Sequence, residues 1–320
     1  MDASDLQLFE RSVRQATDRA SGDALDEALR ELGWTDALAD DARVAISILF
    51  RLQGRSLVTS SALDQVLATG LGVPVTEPVA VVLPPLGSTA APGARRGGRL
   101  GIDGVGTPAL HRAARAVVAV APAGGEEMGI ATVPTSELDL RVLAGIDPDA
   151  GLVHVHADDV EDQVAGACDT WTAAVSLGQL ALSHEILGAA QTMLELAREH
   201  ALTRVQFGQS ISRFQAVRHR LADTLVAIEA AEAVLTAAQD APSPALAAAA
   251  KSLAGRGART AARHCQQVLA GIGFTAEHPF HRSYRRTLLL DQLFGSAHTL
   301  TLALGDDLLR SRSLPALLPL

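Results

Sequence analysis

The sequence predicts an α+β fold in three parts: a helical N-terminal domain, a small middle β domain and a C-terminal four-helix bundle. Three observations support this fold class. Ala and Leu dominate the composition, and both favour helices. Short Val-rich runs separated by Gly and Pro occur in the middle of the chain. Long amphipathic patterns with helical spacing fill the last half. We expect the three domains to span residues 1–72, 73–160 and 161–320.

The first two domains follow from periodicity and turn residues. Leu25, Leu29 and Leu32 share one helical face, and Gly72 with Pro74 marks the end of the helical region. The runs PVAVVLPP, RAVVAVAPA, GIATVPT and GLVHVHADD are typical of strands joined by turns. The stretch PPLGSTAAPGARRGGRLG consists mostly of turn residues and is interpreted as a loop.

The C-terminal half predicts long helices that pack as an antiparallel bundle. One helix is indicated by apolar residues on a single face: Val175, Leu182, Ile186, Ala189 and Met193. The next helix is indicated in the same way by Phe214, Val217, Leu221, Leu225 and Ile228. A Pro-Ser-Pro break separates two further helical runs. A last helix is expected over RRTLLLDQLFGSAHTLTLALGDDLL.

Composition excludes several classes of function. A net charge of −9 disfavours general nucleic-acid binding, which needs Lys and Arg to neutralise phosphates. Cys168 and Cys265 lack Cys-x-x-Cys spacing, as expected of a reduced cytoplasmic protein. The N-terminus, MDASDLQLFERSVRQ, has no apolar core of a signal peptide. No apolar run approaches the ~20 residues of a membrane span. We therefore expect neither nucleic acid nor membrane as a partner.

Two motifs in the C-terminal half resemble those of the acyl-CoA dehydrogenase family. The first is RVQFGQ from Arg204, followed by FQ at Phe214 and by LAD ending at Asp223. Family members read R-x-x-F-G, then F-Q, then L-A-D. The second is QVLAGIGFTAEHP from Gln267, which matches Q-x-x-G-G-x-G-(F/Y)-x-x-E-(H/Y/D)-P except for Ala270 at the first glycine. The stretch ELGW also resembles the family's N-terminal helical domain.

The resemblance implies that these motifs hold the adenosine diphosphate half of FAD across a subunit boundary. Arg204 would offer a guanidinium fork to the pyrophosphate, and Gly208 would let the backbone turn close to the ligand. Phe207 would pack on the flavin side. The cofactor-binding candidates are Arg204, Gln206, Phe207, Phe214, Gln215, Gln267, Gly271, Gly273, Ser296 and His298. The alternative is a plain helix–helix corner in which the side chains of Phe207 and Phe214 are buried in the core.

The family's catalytic base is missing from both of its usual positions. Phe294 stands where most members have a glutamate in a Tyr-Glu-Gly-Thr-like segment. Gly178 stands where some relatives carry the base on the first bundle helix. The strands that bind the isoalloxazine ring in the family are not recognisable here either, and the only tryptophans are Trp34 and Trp171. The chain therefore keeps the diphosphate motifs without the ring site.

An assembly with a second, different subunit would supply the ring site and the base that this chain lacks. The sequence resembles the short subunits of actinobacterial α2β2 acyl-CoA dehydrogenases, which act on steroid-derived CoA thioesters. That resemblance implies a longer homologous partner, an acyl-CoA substrate, and an electron-transfer flavoprotein or similar acceptor. A self-sufficient homotetramer and a non-catalytic stabilising subunit remain alternatives. The sequence leaves open which chain supplies the base.

Two carboxylates are candidates for a base within this chain. Glu185 lies two helical turns beyond Gly178, roughly 10 Å along nearly the same face, and burial would raise its pKa as a general base requires. The alternative is a buried glutamate bonded to a neighbouring helix or to His184. Asp291, three residues before Phe294, is a weaker candidate and is more typical of a surface or capping carboxylate.

Three other features carry weaker hypotheses. His154 and His156 in HVHADD could ligate a metal, but a solvated edge strand is the simpler interpretation, and we expect no metal site. Arg95 and Arg96 could meet a CoA phosphate or be solvated. The basic patch HRSYRR is interpreted as structural.

Overall fold

The computed structural model describes residues 3–75, 79–96, 98–122, 128–161, 164–167 and 170–312. The N-terminal part is helical, as expected. Its helices are α1 (Ala3–Arg19), α2 (Asp23–Glu31), α3 (Trp34–Asp40), α4 (Ala42–Ser56) and α5 (Ala62–Leu71). Gly72 ends α5 with a left-handed φ of 72°, which confirms the stop signal.

The middle part is one mixed eight-stranded sheet. Its strands are β1 (Ala80–Val81), β2 (Gly93–Arg96), β3 (Arg99–Gly106), β4 (Arg115–Ala121), β5 (Gly129–Pro134), β6 (Asp139–Val142), β7 (Val153–Glu161) and β8 (Val164–Ala167). The order is β6-β7-β3-β2-β4-β5-β8, and β1 pairs with β4. Strands β1 and β2 are parallel to β4, and the other pairs are antiparallel. Strand β8 lies beyond the expected boundary at residue 160, so the domain division remains a prediction.

Two sequence interpretations of this sheet were wrong. The stretch interpreted as a loop contains β2, which pairs with β3 from Gly93 opposite Ile102 to Arg96 opposite Arg99. Ladder hydrogen bonds come from the backbone, so glycines and arginines can pair without apolar alternation. Strand β7 is not an edge strand, because the short, mostly exposed β6 covers one side of it and β3 the other.

The sheet buries both of its faces. Val81 and Leu83 point into a large core that also contains the N-terminal helices and the bundle. Ala80 and Val82 point into a second, smaller core on the opposite face. This alternation is the two-residue period of a strand. The sheet therefore packs firmly against the helices on one side.

The C-terminal part is a helical bundle with a short hairpin. Its elements are α6 (Trp171–Thr203), β9 (Val205–Gln206), β10 (Gln209–Ser210), α7 (Gln215–Asp240), α8 (Pro244–Leu269), α9 (Phe280–Gln292) and α10 (Ala297–Ser311). Helix α8 packs against α6, α7, α9 and α10. The Pro-Ser-Pro break falls between α7 and α8, as predicted. Leu225 is 48% exposed and does not share the buried face expected of it.

The single last helix that the sequence predicted is two helices, α9 and α10. Phe294 and Gly295 have left-handed φ values of 53° and 89°, so the chain cannot continue as a helix through them. Ser296 then caps α10, and its side chain accepts a hydrogen bond from the Thr299 N–H at 3.1 Å. The resulting turn brings Phe294 into the core.

Helices α4 and α6 cross at backbone contact distance. A Cβ atom added at Gly54 would fall inside van der Waals contact of the Glu185 carbonyl oxygen, and one at Gly188 would meet the Arg51 carbonyl oxygen in the same way. Only glycine allows two helices to approach so closely. These two glycines set the position of Glu185 relative to α4.

Among the residues that the structure describes, no helix is both long and apolar enough to cross a membrane.

Candidate functional site

The hairpin between α6 and α7 presents an aromatic side chain to solvent. Phe207 has a φ of 53° and Gly208 a φ of 76°, which make the tight turn of β9 and β10. The Phe207 ring is 92% exposed. It touches Phe214 edge to face, with the ring centroids 6.2 Å apart. Phe207 is therefore not a core plug, and the helix-corner alternative fails for this residue.

The two sequence motifs meet at a cleft of about 400 Å³ beside this hairpin. Gln206, Phe207 and Phe214 come from the first motif, and Gln267 comes from the second. The rest of the lining is Ile211, Ala216, Val217, Arg220 and Val268. Aromatic and apolar walls with a few polar groups suit a ring system that carries a polar edge.

Arg220 is a site residue that the sequence analysis missed. It lies on α7 one helical turn after Ala216 and Val217, and all three line the cleft. The i, i+3 and i, i+4 spacing from Val217 and Ala216 could have identified it. Its guanidinium supplies a positive charge to the cleft. The sequence analysis expected that charge to come from Arg204.

Arg204 directly precedes β9 of the same hairpin and is not among the residues that line the cleft. It follows the last turn of α6, is exposed, and acts electrostatically on His200. Arg204 and Arg220 thus belong to two different parts of the chain, one directly before the hairpin and one in the helix that follows it. A ligand longer than the cleft could contact both guanidinium groups, so the predicted role of Arg204 stays a prediction.

The other predicted cofactor residues are not among those that line the cleft. Gln215 is the exposed first residue of α7. Gly271 and Gly273 lie in the short helical turn Ala270–Phe274 that follows α8. Ser296 is buried as the cap of α10, and His298 is exposed in the first turn of that helix. Their roles remain predictions.

Ala270 occupies a conformation that favours glycine. Its φ of 53° and ψ of −134° end α8 at the position where the motif that the sequence resembles has its first glycine. We expect Ala270→Gly to raise the free energy of unfolding by about 1 kcal/mol, because it removes the strain of a side chain in this region. Thermal unfolding measures the change. Ala249→Gly, inside α8, is the control and should lower stability by about 1 kcal/mol; equal losses for both variants would contradict the strain argument.

The two positions where the family carries its base face each other inside the core. A Cβ atom added at Gly178 would lie 3.3 Å from the Phe294 ring and 3.2 Å from Leu67. Phe294 is completely buried. Its aromatic ring therefore fills the space between the two positions, where a carboxylate would otherwise point.

Buried polar side chains hold Phe294 in its strained turn. The Gln179 amide donates to the Phe294 carbonyl oxygen at 3.2 Å. Lys251 Nζ donates to the carbonyl oxygens of Asp291 at 3.1 Å and Gly295 at 3.3 Å. Burial lowers the pKa of Lys251 to about 8, while the nearby Asp291 opposes that change. The turn is thus fixed from two helices, α6 and α8.

Glu185 is buried in a network of charged and polar side chains. It is 3% exposed, and it accepts hydrogen bonds from Gln53 Nε2 at 3.2 Å and Arg286 Nη1 at 3.4 Å. Arg286 Nε also donates to Asp147 Oδ2 at 2.5 Å. Burial raises the pKa of Glu185, and the Arg286 cation opposes that rise. Arg286 belongs to the HRSYRR patch, which supports its structural interpretation.

The carboxylate of Glu185 adjoins a cavity of only about 50 Å³. Gln53, Leu182, Arg286 and Leu293 are among its lining residues. Such a volume holds water molecules but no acyl chain. The neighbouring His184 does not bond to Glu185 but contacts Arg51 at 3.3 Å through Nδ1.

Asp291 is not a surface carboxylate. It is 1% exposed. Its Oδ1 accepts from the Ala297 N–H at 3.0 Å, and its Oδ2 forms an ion pair with Arg259. The capping role is confirmed, and the surface location was wrong because the chain turns back over Asp291 at Gly295.

The histidines of β7 contact nearby aspartates. His154 Nε2 lies 2.9 Å from Asp103, and His156 Nε2 lies 3.2 Å from Asp158. Within the described part of the chain, no group of three or more His, Cys, Asp or Glu side chains is arranged to hold a metal ion. Arg95 lies in β2, and Cys168 falls outside the described residues.

Comparisons with known proteins agree with this architecture. Residues 170–309 match the family model for the acyl-CoA dehydrogenase C-terminal domain. The fold matches the ChsE4-ChsE5 complex from Mycobacterium tuberculosis with a TM-score of 0.78 and 20% identity, over 99% of both chains. It matches the Tcur3481-Tcur3483 steroid ACAD with a TM-score of 0.77 and 19% identity, over 97% of this chain and 99% of the other. The fold is therefore that of an acyl-CoA dehydrogenase, an oxidoreductase class that acts on CH–CH bonds.

A sequence relative places the chain within that class. The chain is 32% identical to the acyl-CoA dehydrogenase IpdE2 of Mycobacterium tuberculosis over 256 residues, and this match covers 80% of the chain and 74% of IpdE2. The chain belongs to the acyl-CoA dehydrogenase family.

Proposed function

We propose that this chain is one subunit of an FAD-dependent acyl-CoA dehydrogenase and works with a longer homologous partner. The partner would supply the catalytic base and the site of the flavin ring. This chain would hold the adenosine diphosphate half of the same cofactor. The pair would form an α,β-double bond in a bulky CoA thioester, in the cytoplasm, and pass electrons to an electron-transfer flavoprotein or similar acceptor.

The packing of Phe294 against Gly178 carries this proposal. Both usual positions of the base lack a carboxylate, and the buried ring of Phe294 fills the space between them. Proton abstraction from the α carbon of a thioester needs a carboxylate within hydrogen-bond reach. The geometry therefore favours a base that comes from another chain.

The cleft at the hairpin fits part of FAD. Phe207 and Phe214 offer aromatic surface, Gln206 and Gln267 offer neutral donors, and Arg220 offers a charge for the diphosphate. Because Phe207 is 92% exposed, this chain alone leaves it uncovered. When bound, FAD accepts the β hydrogen of the thioester as hydride. The residues of this chain would bind and orient its adenosine end.

The partner and substrate classes rest on the relatives. One structural neighbour is a complex of two differently named proteins, ChsE4 and ChsE5. Another is described as a steroid acyl-CoA dehydrogenase. These names support an α2β2 heterotetramer and a steroid-derived or comparably bulky thioester as the working proposal.

Glu185 is the second candidate for the base. Its carboxylate is in the core and burial raises its pKa, both of which suit a general base. However, Arg286 and Gln53 already donate hydrogen bonds to its two carboxylate oxygens. The adjoining cavity of about 50 Å³ also has no room for an acyl chain. The geometry favours a structural role, as expected of a subunit that relies on its partner for the base.

Flavin content tests the proposal. We expect the chain expressed alone to be colourless, and its co-expressed pair with a longer dehydrogenase encoded nearby to be yellow and to oxidise acyl-CoA. A yellow, active pair with a colourless single chain fits both this proposal and the non-catalytic stabilising role, whereas a colourless, inactive pair would contradict the proposal. A yellow and active single chain would contradict the proposal and favour the self-sufficient homotetramer. Arg220→Ala in the pair should lower bound FAD, because it removes the cation of the cleft.

A further inference from the structure

Helix α7 presents an apolar strip to solvent. The helix buries one narrow side, formed by Thr224, Ile228, Ala231, Leu235 and Ala238. On the opposite side, exposed residues recur every three or four positions and so share one face: Ala222, Leu225, Val226, Glu229, Ala230 and Ala233. We call these six residues the outer strip. Leu225 is 48% and Val226 is 68% exposed, whereas the solvent side of a helix is normally polar. The outer strip therefore has the composition of a contact surface.

The outer strip and the cofactor cleft lie on different sides of α7. The residues of α7 that line the cleft are Ala216, Val217 and Arg220. At 3.6 residues per turn, Arg220 lies about 120–140° round the helix axis from Leu225 and Val226. A subunit that shares the cofactor at the cleft would approach another side of the helix. The outer strip thus needs a contact of its own.

The side-chain sizes of the outer strip match a second copy of itself in antiparallel orientation. With the two-fold axis centred midway between Leu225 and Ala230, Leu225 of one copy would face Ala230 of the other. Ala222 would face Ala233 in the same way. Large residues opposite small ones allow close packing, and alanines let two helices approach to about 8 Å. The two-fold axis repeats each of these contacts.

The charges at the two ends of α7 favour the same orientation. Arg218 is exposed one turn before the outer strip, and Asp240 is exposed at the end of the helix. In the antiparallel arrangement, Arg218 of each copy would lie within one helical turn of Asp240 of the other. A parallel pair would instead set Arg218 against Arg218 and Asp240 against Asp240. Opposite charges across a contact favour association and fix its register.

We propose that the outer strip of α7 is the surface through which two copies of this chain meet, antiparallel about a two-fold axis. The inference rests on the proposed α2β2 assembly and deepens it, because it names the contact that joins the two copies of this chain. A second copy is the occupant because the strip is complementary to itself in both size and charge. Each copy would keep its cleft free for the cofactor that it shares with the longer partner.

The mass of the co-expressed pair carrying Val226→Glu tests this contact. Two carboxylates brought together near the axis should weaken the association of the two copies about a hundredfold or more. Light scattering should then show one copy of each chain in place of two. FAD bound per pair should stay unchanged, because the cleft lies on another side of α7. Leu302→Glu is the control, since Leu302 is 55% exposed on α10 and lies outside the strip.

Cross-linking identifies which chain covers the outer strip. Val226 lies next to the proposed axis, so Val226→Cys places one thiol of each copy close to the other. A short bis-maleimide should therefore join two copies of this chain into a covalent dimer. Leu302→Cys and the parent chain, whose Cys265 is buried, should give no such product.

The possible results separate this inference from the proposed function. Full mass in the Val226→Glu pair would overturn the inference. Cross-links from Val226→Cys to the longer partner, or loss of that partner and of FAD in Val226→Glu, would overturn it as well, because the strip would then bind the partner. A parent pair without flavin would instead contradict the proposed function, and cross-linking of the chain alone would still test the α7 contact.

Discussion

Replacing Arg286 with alanine is expected to lower the free energy of unfolding by about 3–5 kcal/mol, because two carboxylates would lose their cation inside the core. Arg286 bonds to Glu185 at 3.4 Å and to Asp147 at 2.5 Å, and all three side chains are buried. These two bonds therefore link α9, which carries Arg286, to α6 and to the loop before β7. Urea unfolding followed by circular dichroism gives the change.

The pH dependence of this loss has a definite sign. Burial already raises the pKa of Glu185, and removing Arg286 raises it further. A carboxyl group with a raised pKa in the folded state stabilises the fold at low pH and loses that contribution as pH rises. The variant should thus be less destabilised at pH 5 than at pH 8. Arg285→Ala is the control, because Arg285 contacts only the Ile146 carbonyl oxygen among the described hydrogen bonds. Similar small losses for both variants would contradict the buried network.

Gly54→Ala should be the second severe change. The added methyl group would overlap the Glu185 carbonyl oxygen, which belongs to the rigid backbone of α6 and cannot rotate away. Overpacking of a core usually costs about 1–3 kcal/mol, and a backbone clash should place this variant at or above the upper limit. Helices α4 and α6 would have to separate, which also disturbs the bond between Gln53 and Glu185.

Gly305→Ala is the matched control for that substitution. Gly305 lies inside α10, and a Cβ atom there would meet no other atom within 4 Å. Alanine is the better helix former, so stability should rise by about 0.5–1 kcal/mol. Thermal unfolding of both variants separates the two effects. If Gly54→Ala were as stable as the parent chain, the close crossing of α4 and α6 would be wrong.

The sequence predicted those helices whose position and ends are set by neighbouring residues in the chain. Apolar periodicity identified α6, Gly72 ended the N-terminal helices, and the Pro-Ser-Pro break separated α7 from α8. The break between α9 and α10 was missed because no proline marks it. Phe294 keeps its left-handed conformation through bonds from Gln179 and Lys251, which are distant in sequence.

The sequence predicted those residues of the candidate site that belong to short motifs and missed those that long-range contacts bring in. The motifs named Gln206, Phe207, Phe214 and Gln267, and the fold brings these four together. Arg220 was missed because it reads as one more polar residue of an amphipathic helix. The partners of Glu185 could not be predicted, since Gln53 and Arg286 lie 132 and 101 residues away along the chain.

Turnover of a Glu185→Gln variant tests the central claim most directly. In the active, yellow pair, our account predicts that this variant keeps its FAD and most of its activity, because the proton leaves to a base in the partner. The amide can still accept from Arg286 and keeps the size of the side chain, so the pair should assemble. Loss of turnover by several orders of magnitude, with FAD fully retained, would show instead that Glu185 is the base.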